Sequence, residues 1–183
     1  MKKALILAGD GFEDAELLYP YYRLKEEGFT VDVAGDESGK LFTGKKGYPI
    51  RATRAVQDVR IDDYAVLVVP GGHAPDKWRL DDRFVQIVRA AFQGDLVVAA
   101  ICHAAQLLIE ADVVKGRRMT CYASVKTDLR NAGAHYEDRE VLVDGNLVTS
   151  RQPADLPAFM RETVRILRER QILPVGNSGT APK

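Results

Sequence analysis

Cysteine is scarce in this sequence, with only Cys102 and Cys121, and neither sign of charge is in surplus. Two thiols cannot build a disulfide framework, so both read as free thiols in a reducing, cytoplasmic setting. Lys plus Arg and Asp plus Glu both number 26, giving zero formal net charge. No overall field then draws the chain to nucleic acid or to an anionic membrane, which leaves a small molecule or a protein as the expected partner. Long apolar runs are missing too, so no segment reads as a membrane span. The opening ALILA run is too short for a signal-peptide core, meets the acidic GDGFEDAE at once and carries no cleavage-site pattern. Internal repeats and interdomain linkers are absent. Residues 1–170 therefore read as one domain, and 171–183 as a mobile tail.

What is present is ordinary for a globular chain: 183 residues, 46% hydrophobic and 28% charged, enough to bury a core without disulfides or structural metal. KALILA, TVDVAG, YAVLVVPGG and DLVVAAIC are continuous apolar runs that end in Gly or Cys. Such runs mark strands buried on both faces of a parallel sheet. Between and after them lie the amphipathic stretches EDAELLYPYYRLKEEG, DDRFVQIVRAAFQG, HAAQLLIEADV and SVKTDLRNAG. The repeated β-α-β pattern predicts a doubly wound α/β sheet. Pro20 predicts a kink or a first turn shaped around it. KLFTGKKGYPIRATRAV predicts a hairpin projecting from the sheet, and EVLVDGNLVTSR two short strands joined by Asp-Gly-Asn. PADLPAFMRETVRILRER predicts a helix opening near Pro153.

Gly9-Asp10-Gly11 begins like the glycine fingerprint of a dinucleotide-binding turn, but Asp14 fills the third glycine position. A carboxylate there opposes a pyrophosphate where neutral backbone donors are needed. Glu13, Asp14 and Glu16 would complement the dipole of the helix they open. Alternatively one of them projects into the crevice at the carboxyl end of the sheet, where open α/β folds keep their sites. Glu13 and Glu16 share a helix face, and Asp14 points elsewhere.

Cys102 closes the strand LVVAAI and directly precedes the AAQLLIEA helix. At such a strand-to-helix elbow the side chain is held on a tight turn, and the following helix aims amide hydrogens at the sulfur, which favours thiolate. His103 is placed to act as base or acid if the turn lets the two side chains meet. The bland alternative makes Cys102 a small buried hydrophobe. Cys121, in RRMTCYAS, reads as a strand residue with no helix terminus directly after it. Gly71 and Gly72, at the end of VVPGG, can present unobstructed amides to a developing oxyanion. Arg151 follows a strand end and reads as a holder of a carboxylate or a loop, or as plain solvated surface.

The elbow A-I-C-H, the upstream P-G-G-x-A-P, the opening G-F-E-D-A-E-L-x-Y-P-Y-x-R-L-K-E-E-G and the late S-R-x-P-A-D-L together resemble the PfpI family. That family sits in the superfamily of the parkinsonism-associated deglycase and of class I glutamine amidotransferase-like folds. The similarity runs from Lys3 to Arg168. It implies a flavodoxin-like three-layer sandwich with a mostly parallel central sheet and a nucleophile elbow, with subunits paired into dimers and in some members hexamers. It also implies a reactive cysteine matching Cys102, the adjacent His103, and an acid matching Glu16 that hydrogen-bonds the sulfur. Glu13 matches a nearby acidic position, Gly71 and Gly72 the oxyanion-hole glycines, and Tyr122 an active-site tyrosine. The sequence departs from the family where Asp76 stands for a glutamate offered by a neighbouring subunit, and where Ala104-Ala105 replace Gly-Pro.

The leading expectation is a stress-response enzyme without metal or other cofactor, acting on small dicarbonyls or on their adducts with proteins and nucleotides. A PfpI-type cysteine peptidase and a redox sensor or holdase working through oxidation of Cys102 are the alternatives. A glutaminase of related fold would need a relay histidine well after the nucleophile, and only His135 stands there. Glu13, Glu16, Cys102 and His103 carry no spaced metal-ligand motif.

Overall fold

The apolar runs become adjacent strands of one sheet. In a computed structural model, which describes residues 2–173, they are β1 (Lys3–Leu7) and β2 (Thr30–Gly35), followed by the short β3 (Leu41–Thr43), β4 (Pro49–Arg51) and β5 (Arg54–Ala55). The chain continues through β6 (Tyr64–Val69), β7 (Val97–Ile101), β8 (Arg118–Met119), β9 (His135–Tyr136), β10 (Val141–Asp144) and β11 (Leu147–Ser150). The main sheet has seven strands in the order β10-β11-β7-β6-β1-β2-β5. Every pairing in it is parallel except the β10–β11 edge hairpin. Every residue of β7 is buried, as are Ala4 through Leu7 of β1, which requires cover on both faces.

Helices supply that cover: α1 (Asp14–Glu26), α2 (Ala74–Trp78), α3 (Asp82–Gln93), α4 (Ala105–Glu110), α5 (Lys126–Asn131) and α6 (Leu156–Glu169). α1 packs with α6, and α2, α3 and α4 pack together, giving the three layers. In α6 the buried residues Leu156, Phe159, Met160, Thr163, Val164 and Leu167 recur at three- and four-residue steps, one stripe against the sheet. Among the described residues no helix is long and apolar enough to cross a membrane.

The structure alters several expectations. Pro20 lies inside helix α1, well past its first turn, so the first-turn alternative does not hold. Pro20 has no N–H, so the carbonyl of Glu16 four residues earlier lacks its intrahelical donor. The strand expected at RRMTCYAS stops at Met119, leaving Cys121 buried in the segment that follows. Helix α4 is only six residues long and follows a single tighter turn over Cys102–Ala104. The β3–β4 hairpin forms, but it folds back onto the loop after β1 instead of projecting: Gly11 N–H donates to Thr43 O at 2.8 Å and Lys45 N–H to Phe12 O at 2.8 Å. Of the expected tail, Leu173 is buried with its N–H on Leu167 O; residues 174–183 lie outside the described residues.

Candidate active site

Strand β7 delivers Cys102 to the carboxyl edge of the sheet. Ile101 is extended, Cys102 has φ 64°, and the chain then turns at once into helix. A non-glycine residue in the left-handed region stores roughly 1–3 kcal/mol of strain, and here that strain holds a side chain at the mouth of the crevice. Cys102 is 7% exposed. The backbone N–H groups of Gly72 and His103 both hydrogen-bond its sulfur, and His103 Nδ1 lies 3.2 Å from it. The turn therefore does let the two neighbouring side chains meet.

Glu16 arrives from the first turn of α1 and is completely buried. Its Oε2 accepts the Gly71 N–H at 2.7 Å, while Oε1 is buried with no hydrogen-bond partner. The approach is close because Gly71 has no side chain: a Cβ there would stand 2.6 Å from Glu16 Oε2 and 2.7 Å from Cys102 Cβ. Gly71 is thus a spacer and acid holder, and its amide is engaged. Of the two glycines only Gly72, joined by His103, turns its amide to the sulfur.

Burial pushes the Glu16 carboxyl up to about 7 against the opposing pull of Gly71 N–H and Cys102. The Cys102 thiol is raised as well, first by burial and second by the Glu16 charge, with the His103 and Gly72 amides pulling the other way. The helix end favours the thiolate, and burial opposes it. The Glu16 charge opposes ionisation of the sulfur, and when Glu16 holds a proton that repulsion disappears.

The loop after β1 and the Pro-Gly-Gly loop after β6 are laced edge to edge. Phe12 and Gly72 form an antiparallel bridge, Glu13 N–H donates to Gly71 O at 3.1 Å and His73 N–H to Gly11 O at 2.8 Å. Gly72 has φ 85°, and a Cβ on it would collide with the backbone of Gly11 and Glu13. This lacing sets Glu16 beside Cys102. It also engages the loop's polar groups, with Gly11 N–H on Thr43 and Asp10 Oδ1 accepting Thr43 N–H at 2.9 Å, which leaves no phosphate cradle.

His103 is half-buried, its ring stacked on Tyr122 with centroids 4.9 Å apart and its Nε2 3.3 Å from Ser124 Oγ. Burial first, and the nearby Lys45 charge second, lower its pKa, so the imidazole is neutral at pH 7 and one ring nitrogen can accept a proton. Tyr122 thus covers His103, and its N–H donates to Cys102 O at 3.2 Å. Asp76, exposed on α2, reaches His103 through its charge alone. Ser124 was not among the expected residues; a serine after Tyr-Ala carries no local signal.

The three acids divide. Glu13 caps α1 without using its side chain, which pairs with Lys45 Nζ at 3.1 Å. Asp14 faces the hairpin, accepting Lys46 N–H at 2.8 Å and Tyr48 N–H at 2.9 Å. Lys45 is a second residue the sequence reading missed, because Gly-Lys-Lys-Gly announces only a turn. Arg151 holds Asp155 at 2.9 Å and Asp138 at 2.8 Å, strapping the turn into α6. A cleft of about 170 Å³ lined by Asp10, Asp36, Phe42 and Trp78 does not include Cys102. Among the described residues no three His, Cys, Asp or Glu side chains are grouped to hold a metal ion.

Residues 2–166 match the sequence model of the DJ-1/PfpI family. The chain is 48% identical over 166 residues to Deglycase PfpI of Pyrococcus furiosus, covering 91% of this chain and 99% of that one. It is 42% identical over 168 residues to Protein/nucleic acid deglycase 2 of Escherichia coli, covering 91% and 98%. Among solved structures, a two-domain protein of Anabaena variabilis with DJ-1/ThiJ/PfpI-like and ferritin-like domains is similar with TM-score 0.90 and 36% identity, over 99% of this chain and 52% of that one.

Proposed function

The chain belongs to the DJ-1/PfpI family, and from that premise we propose that it is a cysteine-dependent enzyme acting on small dicarbonyls such as methylglyoxal, or on their early adducts with proteins and nucleotides. One arrangement carries the reading: the buried Glu16 carboxyl and Cys102 close on the same face of Gly71, where a Cβ would stand 2.6 Å from Glu16 Oε2 and 2.7 Å from Cys102 Cβ, and the Gly72 and His103 amides oppose the burial that raises the thiol. At neutral pH that pair can exist as neutral acid plus thiolate.

In the proposed reaction the Cys102 sulfur attacks the aldehyde carbon. The S–C bond forms as the C=O π pair moves to oxygen, which the Gly72 and His103 amides steady before Glu16 supplies its proton. His103 then takes the proton from the former aldehyde carbon and returns it to the neighbouring ketone carbon. Glu16 takes back the hydroxyl proton of the first carbon as its C=O forms and gives it to the oxygen of the second, so the first carbon becomes a thioester, the second an alcohol, and the two electrons stay within the substrate. Water cleaves the thioester, releasing a hydroxy acid and the thiol. For a hemiaminal adduct the sulfur instead displaces the amine: the S–C bond forms as the C–N bond breaks, Glu16 gives its proton to the leaving nitrogen, and the same hemithioacetal results. The names of the Pyrococcus and Escherichia relatives support the adduct substrates.

Methylglyoxal consumption by wild-type protein and by Cys102→Ser, in thiol-free buffer, tests the proposal. Wild type should consume it and the variant should not; equal consumption defeats the reading. A peptidase triad is less well supported, since Asp76 is one methylene shorter than the glutamate such a triad would use, and the triad depends on reach. Sensing through sulfinic acid has one observation in its favour, the unpartnered Glu16 Oε1, which an oxidised sulfur would engage.

We further propose that the protein is a cytoplasmic homodimer whose catalytic domain spans residues 1–170. Tyr19, Tyr22 and Tyr48 are exposed on α1 and the hairpin, and a tyrosine patch of this kind suits a protein interface.

A further inference from the structure

The β3–β4 hairpin has no part in the chemistry above, yet more bonds join it to the site than a plain excursion needs. Its strand end takes the Gly11 N–H on Thr43 O, and its turn gives Lys45 N–H to Phe12 O. The Asp14 carboxylate accepts two turn amides, Lys46 and Tyr48. Gly44 lets that carboxylate in, for a Cβ there would lie 2.6 Å from its oxygens. The result is a turn whose single inward cation, Lys45, stands 3.1 Å from Glu13 Oε2 with both side chains largely covered, 32% and 15% exposed.

We propose that Lys45 is a positioning residue for the Cys102 sulfur: held in place by Asp14, its ammonium cancels the Glu13 charge at the mouth of the site, so that the buried Cys102–Glu16 pair can carry a negative charge. The proposal rests on the reading of Cys102 as a reactive sulfur. Glu13 lies one turn from Glu16 and its N–H is bonded to Gly71 O, so an uncancelled Glu13 carboxylate would face a site built to become anionic. The charged and titratable groups around the pair are Glu13 on the first loop, Lys45 on the hairpin, His103 at the elbow, and His73 and Asp76 on the segment after Gly72. Lys45 is the permanent cation among them. Electrostatics agree in sign: the Lys45 charge holds the Glu16 and His103 values down, and Glu13, Cys102 and Glu16 hold that of Lys45 up.

The test is the pH dependence of Cys102 alkylation by iodoacetamide, a neutral probe, followed by peptide mass spectrometry. In Lys45→Gln the midpoint should rise by about one pH unit, the size of shift one nearby charge produces, and the rate well below the midpoint should fall about tenfold. Lys45→Arg should stay near wild type, and Glu13→Gln/Lys45→Gln should return toward it. An unchanged midpoint in Lys45→Gln, or a double variant no better than the single, overturns the proposal. If wild-type Cys102 resists iodoacetamide at every pH, the reactive-sulfur reading falls with it; if it reacts and Lys45→Gln makes no difference, only the role of Lys45 falls.

Discussion

Gly71 N–H and Glu16 Oε2, 55 positions apart in sequence, meet at 2.7 Å inside the protein. This contact assigns one glycine of the pair to the acid and leaves the other to the sulfur. It also makes Gly71 a spacer, because any side chain there would wedge Glu16 away from Cys102.

Gly71→Ala should therefore lower activity at least tenfold and destabilise the fold by roughly 1–3 kcal/mol, the usual range for overpacking. Urea unfolding and turnover measured together check it. Activity and stability both near wild type would contradict the close approach.

Glu16 also sets a pH signature. Its folded value, about 7, lies above the ordinary 4.5. The folded state keeps the proton while the unfolded state releases it, so the contribution of Glu16 to stability is full below pH 4.5 and is lost as pH rises through 7. The loss amounts to roughly 3 kcal/mol relative to Glu16→Gln, which has no proton to release. Urea midpoints for the two proteins at pH 4.5 and 8 give the difference; parallel pH profiles would show that burial does not perturb Glu16.

Mild peroxide should convert Cys102, which stands at the crevice with the Gly72 and His103 amides on its sulfur, to sulfinic acid and spare Cys121, which is 1% exposed. Tryptic peptide masses decide the order of oxidation. Modification of Cys121 first would argue against Cys102 as the reactive thiol.

His103→Gln should lower kcat roughly 100-fold with little change in KM, as expected for loss of a proton-transfer group. Ser124→Ala removes only the neighbour at Nε2 and should have a much smaller effect. Steady-state kinetics with methylglyoxal separate the two, and equal effects would mean that orientation of the ring matters more than its basicity.

Tyr22→Lys puts a charge into the exposed tyrosine patch and should shift the protein toward monomer in sedimentation, with secondary structure unchanged. A sedimentation profile identical to wild type would place the interface elsewhere.

Much of the architecture is legible locally. KALIL, TVDVAG, YAVLVV and VVAAI are strands because apolar residues dominate both of their faces, and α6 follows from its apolar stripe. Cys102 is recognisable because an elbow is a local event. Long-range pairing is not legible in the same way. Asp14 reads as a first-turn acid, yet its carboxylate closes on amides 32 and 34 positions away. Gly71 and Gly72 look equivalent in sequence and are separated only by what crosses over them. Ser124 and Lys45 sit in segments without periodicity, and only tertiary contacts bring them to the site.

The lacing of the first loop to the Pro-Gly-Gly loop bears on how the protein is made. Glu16, Gly72 and Cys102 follow β1, β6 and β7, neighbours in the sheet that are remote in the chain. Parallel neighbours of this kind close late in folding, because long loops must be ordered first. On the ribosome the thiol therefore emerges as an ordinary cysteine and acquires its partners only when the sheet closes around it. Partly made chains then lack the buried pair, and how quickly a nascent chain gains site-type reactivity at Cys102 becomes a clock for sheet closure.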